Sequence, residues 1–224
     1  MTNEKILEML RNNDTENLKK LLEDEIYEKS LKSGKYSPLE RYKAMKRYLK
    51  HVYGWNMTNE RLYYPCENIS VTLNGKYDVW NCFCNGSSFV LTHEPIGKFE
   101  TFNEHFKNEP YFDIQKICPS ETMYTSTENI NLNEVLAKAK SKGYKMLKKN
   151  FLDASFLWKY KEAWFNIPLL DVSYGVINDG KDIAVYYVGK KYPLIIETSI
   201  GYAGVCPIIP KENPYTNKNK TVIS

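Results

Sequence analysis

Two rows of cations carry most of the chemistry that can be read from this sequence. Lys43, Arg47 and Lys50 recur at steps of four and three residues, with Lys46 beside them. Lys138, Lys142, Lys145 and Lys149 recur at steps of four, three and four. On a helix, such spacings set side chains about one turn apart along a face. A rigid row of that kind can track phosphates without reading bases. It equally suits a solvated helix face, and both readings stay open. Tyr48, Tyr53 and Trp55, near the first row, suit stacking on bases or packing between helix and strand.

Other chemistry is less well supported. Cys82 and Cys84 lie two apart in a strand-like run and so share one face. Together with Cys66 and Cys118 they raise the question of a metal. However, the paired C-x2-C spacing of zinc ribbons is absent, and His93 and His105 fall at no ligand spacing. An odd number of cysteines, five, without a secretory signal predicts free structural thiols. No P-loop, G-x-G-x-x-G, H-E-x-x-H or G-x-S-x-G is present. The carboxylates are scattered, with no pair spaced for acid–base work. The chain therefore reads as a non-enzymatic protein with no cofactor or metal; a Cys/His nucleophile is the open enzymatic alternative.

The elements that must hold the rows follow from periodicity. Residues 3 to 31 are helical in pattern, with Ile6, Leu7, Met9, Leu10, Leu18, Leu21, Leu22 and Ile26 near a 3.6 period and a break at Asn12-Asn13-Asp14. Ser37-Pro38-Leu39-Glu40 has the form of a capping box and opens a helix that runs to Tyr53 and stops at Gly54. Its expected apolar stripe is Leu39, Tyr42, Met45, Leu49 and Val52, leaving the first cation row on a different face. The period then changes to two. Ile69–Leu73, the Asn74-Gly75 turn, Tyr77–Phe83, the Asn85-Gly86 turn and Phe89–Leu91 predict a β-meander. A short helix is expected around Phe102–Lys107 and a strand at Glu121–Thr125. The stretch 108–130, rich in Pro, Asn, Ser and Thr, is the candidate boundary between two halves.

The second half begins with a helix capped at Asn131 and predicted to reach Met146, with Gly143 weakening it by about 1 kcal/mol. Strands are expected at Ala154–Tyr160 and Ala163–Ile167, a short helix at Pro168–Ile177, and three more strands at Ile183–Val188, Leu194–Thr198 and Tyr202–Ile208. Trp164, Phe165, Leu169, Val185, Ile195 and Val205 are expected to be buried together.

Composition bounds the reading. Of 224 residues, 42% are hydrophobic and 26% charged, which predicts a folded chain rather than a disordered one. The 18 tyrosines suit half-buried sheets and contact surfaces alike. A net charge of +4 disfavours an acidic DNA mimic and allows a nucleic-acid binder. Met1–Leu10 carries charges in its first turn and no apolar core, and no run approaches the ~20 apolar residues that span a bilayer. The expected location is cytoplasmic, with no membrane partner.

In order and spacing, the β-strand at Ala163–Ile167, the helix at 168–177 and the three strands ending in Gly201-Tyr-Ala-Gly-Val-Cys-Pro-Ile208 resemble the last half-domain of DNA sliding clamps. The Asn68–Leu91 meander after the basic helix is similar to another unit of that kind. The Lys/Asn/Tyr/Ile-rich chain also looks like small phage or mobile-element proteins of low-GC Gram-positive bacteria. The resemblance implies an α+β fold with a helical N-terminal segment at 1–36, a first α/β-meander module at 37–128 and a second clamp-like βαβββ module at 129–224. It also implies duplex DNA held by the two basic helices, a tethered polymerase or other replication protein, and self-association into a ring. Tyr186, Tyr187 and Ile196 are candidates for the subunit interface at a meander edge, against ordinary core packing. The N-terminal segment departs from the clamp pattern, and helix 168–177 carries Asp171 and no lysine. The alternative is a phage-type interaction module that binds and inhibits or redirects a host protein.

Overall fold

A computed structural model describes residues 3–54, 64–73, 75–107, 109–117, 127–145, 156–181, 183–210, 214–215 and 220–224. The strand expected at Glu121–Thr125 and residues Trp55, Cys118, Met146 and Lys149 lie outside them, as do the side chains of Lys50, Val52 and Tyr53.

The fold is mixed α+β, with six helices among the described residues, one large antiparallel sheet and a small second sheet. Helices α1 (Asn3–Arg11) and α2 (Thr15–Ser30) form a hairpin, broken where Asn13 takes a φ of 54°. Helix α3 spans Pro38–Gly54. Only half of its expected capping box forms. The Ser37 hydroxyl accepts from the Glu40 backbone N–H at 3.3 Å, but the Ser37 N–H donates to the Gly34 carbonyl and the Glu40 carboxylate turns to Lys43. A complete box caps the single-turn helix α4 (Phe102–His105), through Thr101 and Glu104.

Strands β1 (Cys66–Leu73), β2 (Lys76–Cys84) and β3 (Ser88–Thr92) make the expected meander. After β4 (Thr127–Glu128) comes α5 (Leu132–Ser141), which ends earlier than predicted. Gly143 is not a weak interior residue. It takes a φ of 93° just beyond the helix, and the Tyr144 N–H returns to the Ala139 carbonyl, closing the end as a glycine cap does. Lys145 therefore lies past the helix.

Strands β5 (Phe156–Tyr160) and β6 (Ala163–Asn166) form a hairpin that leads into α6 (Ile167–Ile177). The Asn166 side chain caps α6 by accepting from the Leu169 N–H at 3.1 Å, and Pro168 stands in its first turn. Strands β7 (Ala184–Tyr186), β8 (Leu194–Glu197), β9 (Gly201–Val205) and β10 (Thr221–Ile223) complete the chain. The order β6–α6–β7–β8–β9 is thus present, but β6 belongs to the small sheet, ordered β10-β5-β6, with β10 parallel to β5.

The large sheet is ordered β1-β2-β3-β9-β8-β7-β4. Its middle seam pairs β3 with β9, so segments from both sides of the 108–130 stretch share one sheet. Both of its faces are covered. On one, α6 and α3 pack Met45, Tyr48, Leu170 and Val176 over Phe83, Val90, Val185, Ile196 and Val205. On the other, Ile114, Tyr111 and Phe112 cover Trp80, Cys82, Phe89, Leu91 and Ile195. This double cover corrects the expected core list. Phe165, Leu169, Val185 and Val205 share the helix-side core, but Ile195, odd in register, faces the other way. Trp164 is half-buried on the small sheet, edge-on to Tyr215.

Cys66, Cys82, Cys84 and Cys206 are free thiols. Burial pushes Cys66 and Cys206 up to about 11 and Cys84 up to about 12. Because the thiolate is the reactive species, iodoacetamide at mildly alkaline pH should label these three roughly a hundredfold more slowly in the folded chain than in denaturant. Mass spectrometry of the alkylated peptides reads this directly, and equal rates in both states would contradict the described burial.

Candidate functional site

The first cation row sits on α3, but of the expected second row only Lys138 lies within α5, with Lys142 at its C-cap and Lys145 beyond it, because the helix ends at Ser141. Most of the described members of both rows are already engaged. Lys46 Nζ lies 2.6 Å from Asp24 Oδ2 and 3.1 Å from Glu28 Oε2, both on α2. Burial opposes the Lys46 charge, but the hydrogen bonds to Asp24 and Glu28 outweigh it and raise its pKa. Lys43 pairs with Glu40 at 3.1 Å. Arg47 Nε donates to the Lys43 carbonyl at 3.1 Å. At the end of α5, Lys142 Nζ donates to the Val222 carbonyl of β10 at 2.9 Å, and Lys138 Nζ, on the helix, donates to the carbonyl of Ser224 just after that strand, so both tie this segment to the helix. Lys145 is exposed.

The interface candidates are distributed differently from the sequence expectation. Ile196 is fully buried on β8, between β7 and β9. Tyr187 is buried edge-on to Tyr160. Tyr186 is half-buried and donates to Glu197 at 2.5 Å. Strand β7 is not the sheet edge, because β4 pairs with it at Val185 and Tyr186.

Where Lys46 pairs with α2, a cleft of about 930 Å³ lies between α2, α3 and the segment 98–104. Its floor is aromatic. Tyr42 meets the edge of Tyr27 at 5.1 Å and stacks on Phe99 at 5.7 Å between ring centroids. Its rim is acidic, with Asp14, Glu23, Asp24, Glu100 and Glu104 against Lys20, Lys46 and Lys98. The Tyr42 hydroxyl donates to Asp24 Oδ1, and Lys46 Nζ sits 5.3 Å from the Tyr42 ring centroid. The chain's own ammonium thus occupies a cation position over an aromatic face beside carboxylates. The backbone crosses the Tyr42 ring closely at Gly97, whose φ of 93° and lack of a side chain permit the approach.

A second cleft, of about 620 Å³, lies between α3, α5, α6 and residues 34–36. It contains Asp171, the one charged residue of the otherwise apolar α6. Asp171 Oδ2 accepts from the Tyr144 hydroxyl at 3.1 Å. Burial pushes the Asp171 carboxyl above its ordinary value, against the opposing effects of Lys140, the Tyr144 hydrogen bond and Arg47. A pKa raised by folding gives stability that is present in acid and is lost as pH rises through the folded value. Asp171→Asn removes that dependence. The melting temperature of the variant, relative to the parent, should therefore improve as pH rises from about 4 to 7. A constant difference across that range would contradict the burial of the charge.

Asp24 and Tyr42 were not legible as site residues, since only the closure of α2 onto α3 brings them together. Asp171 did carry a signal, a lone charge in an apolar helical run. Among the described residues, no three His, Cys, Asp or Glu side chains gather as metal ligands, and no helix is long and apolar enough to cross a membrane. No protein-family model matches the chain, nor does any curated protein or solved structure match it significantly.

Proposed function

We propose that this chain is a non-enzymatic interaction module that receives a basic segment of another protein in the acid-rimmed aromatic cleft. The observation that carries this reading is Lys46 over Tyr42, flanked by Asp24 and Glu28, which is the contact an incoming lysine or arginine would extend along the rim. Exposed Leu7, Leu10, Leu22 and Ile26 on the α1–α2 hairpin add apolar surface of the kind that protein partners cover. The test uses a fluorescently labelled, lysine- and arginine-rich amphipathic peptide and reads its anisotropy. Binding should weaken with salt and fall at least about tenfold in the Glu23→Lys, Glu100→Lys double variant, as rim charges govern association. Absence of binding at low salt, or equal affinity in the variant, removes the reading.

The order β6–α6–β7–β8–β9, with α3 and α6 side by side on one face of an antiparallel sheet, supports a second reading. In it the chain is sliding-clamp-like, binds duplex DNA and tethers a replication partner. That reading requires a closed ring, since a topological clamp is a heterologous assembly that closes. It also requires duplex affinity whose logarithm falls with log salt by about 0.9 for each phosphate contact. A monomeric mass by light scattering, together with no duplex binding at low salt, sinks it.

A further inference from the structure

We infer that the cleft between α3, α5 and α6 is a binding site for a small phosphate ester that also carries a hydrogen-bond donor, such as a sugar phosphate. This site is distinct from the acid-rimmed cleft and does not depend on the function proposed for it.

Three segments contribute cations here: Lys35 before α3, Arg47 on α3 and Lys140 on α5. Two carboxylates line the same cleft, Glu40 and Asp171, and the second feels the charges of Lys140 and Arg47 through space. Glu40 is spent on Lys43 at 3.1 Å. Asp171 accepts from Tyr144, and neither Arg47 nor Lys140 closes an ion pair on it among the described residues. Arg47 spends its Nε on the Lys43 carbonyl, which fixes the guanidinium plane and leaves the two terminal nitrogens. Such a fork matches two oxygens of a phosphate, and Lys140 adds a point charge from the facing helix.

The shape is permissive for the same reason that the helices pack closely. Gly175 and Ala44 line the wall, and a β-carbon on Gly175 would lie only 3.2 Å from the Ala44 side chain. Small residues at this crossing let α3 and α6 approach, and the cleft beside them, about 620 Å³, is room for a ligand of sugar-phosphate size. Asp171, an acceptor at the floor, selects for a ligand hydroxyl or amino group beside the phosphate. A bare phosphate would meet the cations with only its own P–OH left to offer Asp171.

Thermal denaturation of the full chain tests this with inorganic phosphate, ribose 5-phosphate and a short DNA duplex as probes. Ligand bound only by the folded state raises Tm as its concentration exceeds Kd. Ribose 5-phosphate should raise Tm by a few degrees, inorganic phosphate by less. Arg47→Gln and Lys140→Gln should each abolish the shift, while Lys145→Gln, outside the cleft, should keep it. Arg47→Lys, which keeps the charge but loses the fork, should retain only part. No shift at tens of millimolar ribose 5-phosphate overturns the site, and so does a shift that survives both glutamine variants. A response to the duplex alone assigns the cations to nucleic acid and overturns the small-ligand site as well.

Discussion

Gly201→Ala should cost on the order of 3 kcal/mol of folding free energy or more, a large share of what holds a domain folded. Gly201 opens β9 opposite Thr92 with a φ of 153°, and a β-carbon there falls well inside contact distance of the Leu91 carbonyl oxygen. The obstacle is backbone in the paired strand, which cannot move without breaking the β3–β9 ladder. Gly204, three residues along, makes a useful contrast. Its added carbon would meet the ring of Phe89, a buried side chain rather than the backbone of the paired strand. Gly204→Ala should therefore cost less, about 1–3 kcal/mol. Urea denaturation followed by circular dichroism ranks the two, and a reversed order would contradict the described pairing.

Phe165→Ala should lose about 3–5 kcal/mol. Phe165 is fully buried where the small sheet meets α6, its ring 5.7 Å from Trp158 and 6.5 Å from Tyr187. Folded domains hold only about 5–15 kcal/mol in total, so this single cavity consumes a large share. The same urea titration measures it, and a loss below about 1 kcal/mol would mean that the small sheet does not pack on α6 as described.

What was legible in the sequence was local. The β1–β3 meander announced itself through period-two alternation and two glycine turns, and α6 through Pro168 at its start. The end of α5 was misjudged because a glycine in a helical run reads as a defect until its φ is known. Strand β10 carried no signal. Three residues are too few for periodicity, and their pairing to β5 is decided by tertiary contact, including that of Lys138 and Lys142. The candidate site failed to show for a related reason. Lys46 reads as part of a surface row on α3, and nothing in that row reveals that Asp24 and Glu28 arrive from another helix. Spacing along one element says which side chains share a face, but not what covers that face.

The β3–β9 seam also sets a timetable for synthesis. Ser88 pairs with Val205, so the strand that completes the sheet is translated more than half a chain length after the strand that awaits it. At ribosomal speeds of roughly ten residues per second, β3 waits on the order of ten seconds with Phe89, Val90 and Leu91 uncovered. Contacts so distant in sequence also slow folding after release, because the loop must close before any pairing rewards it. The nascent chain therefore passes through an interval in which a chaperone, or a second copy on the same messenger, competes for the open edge.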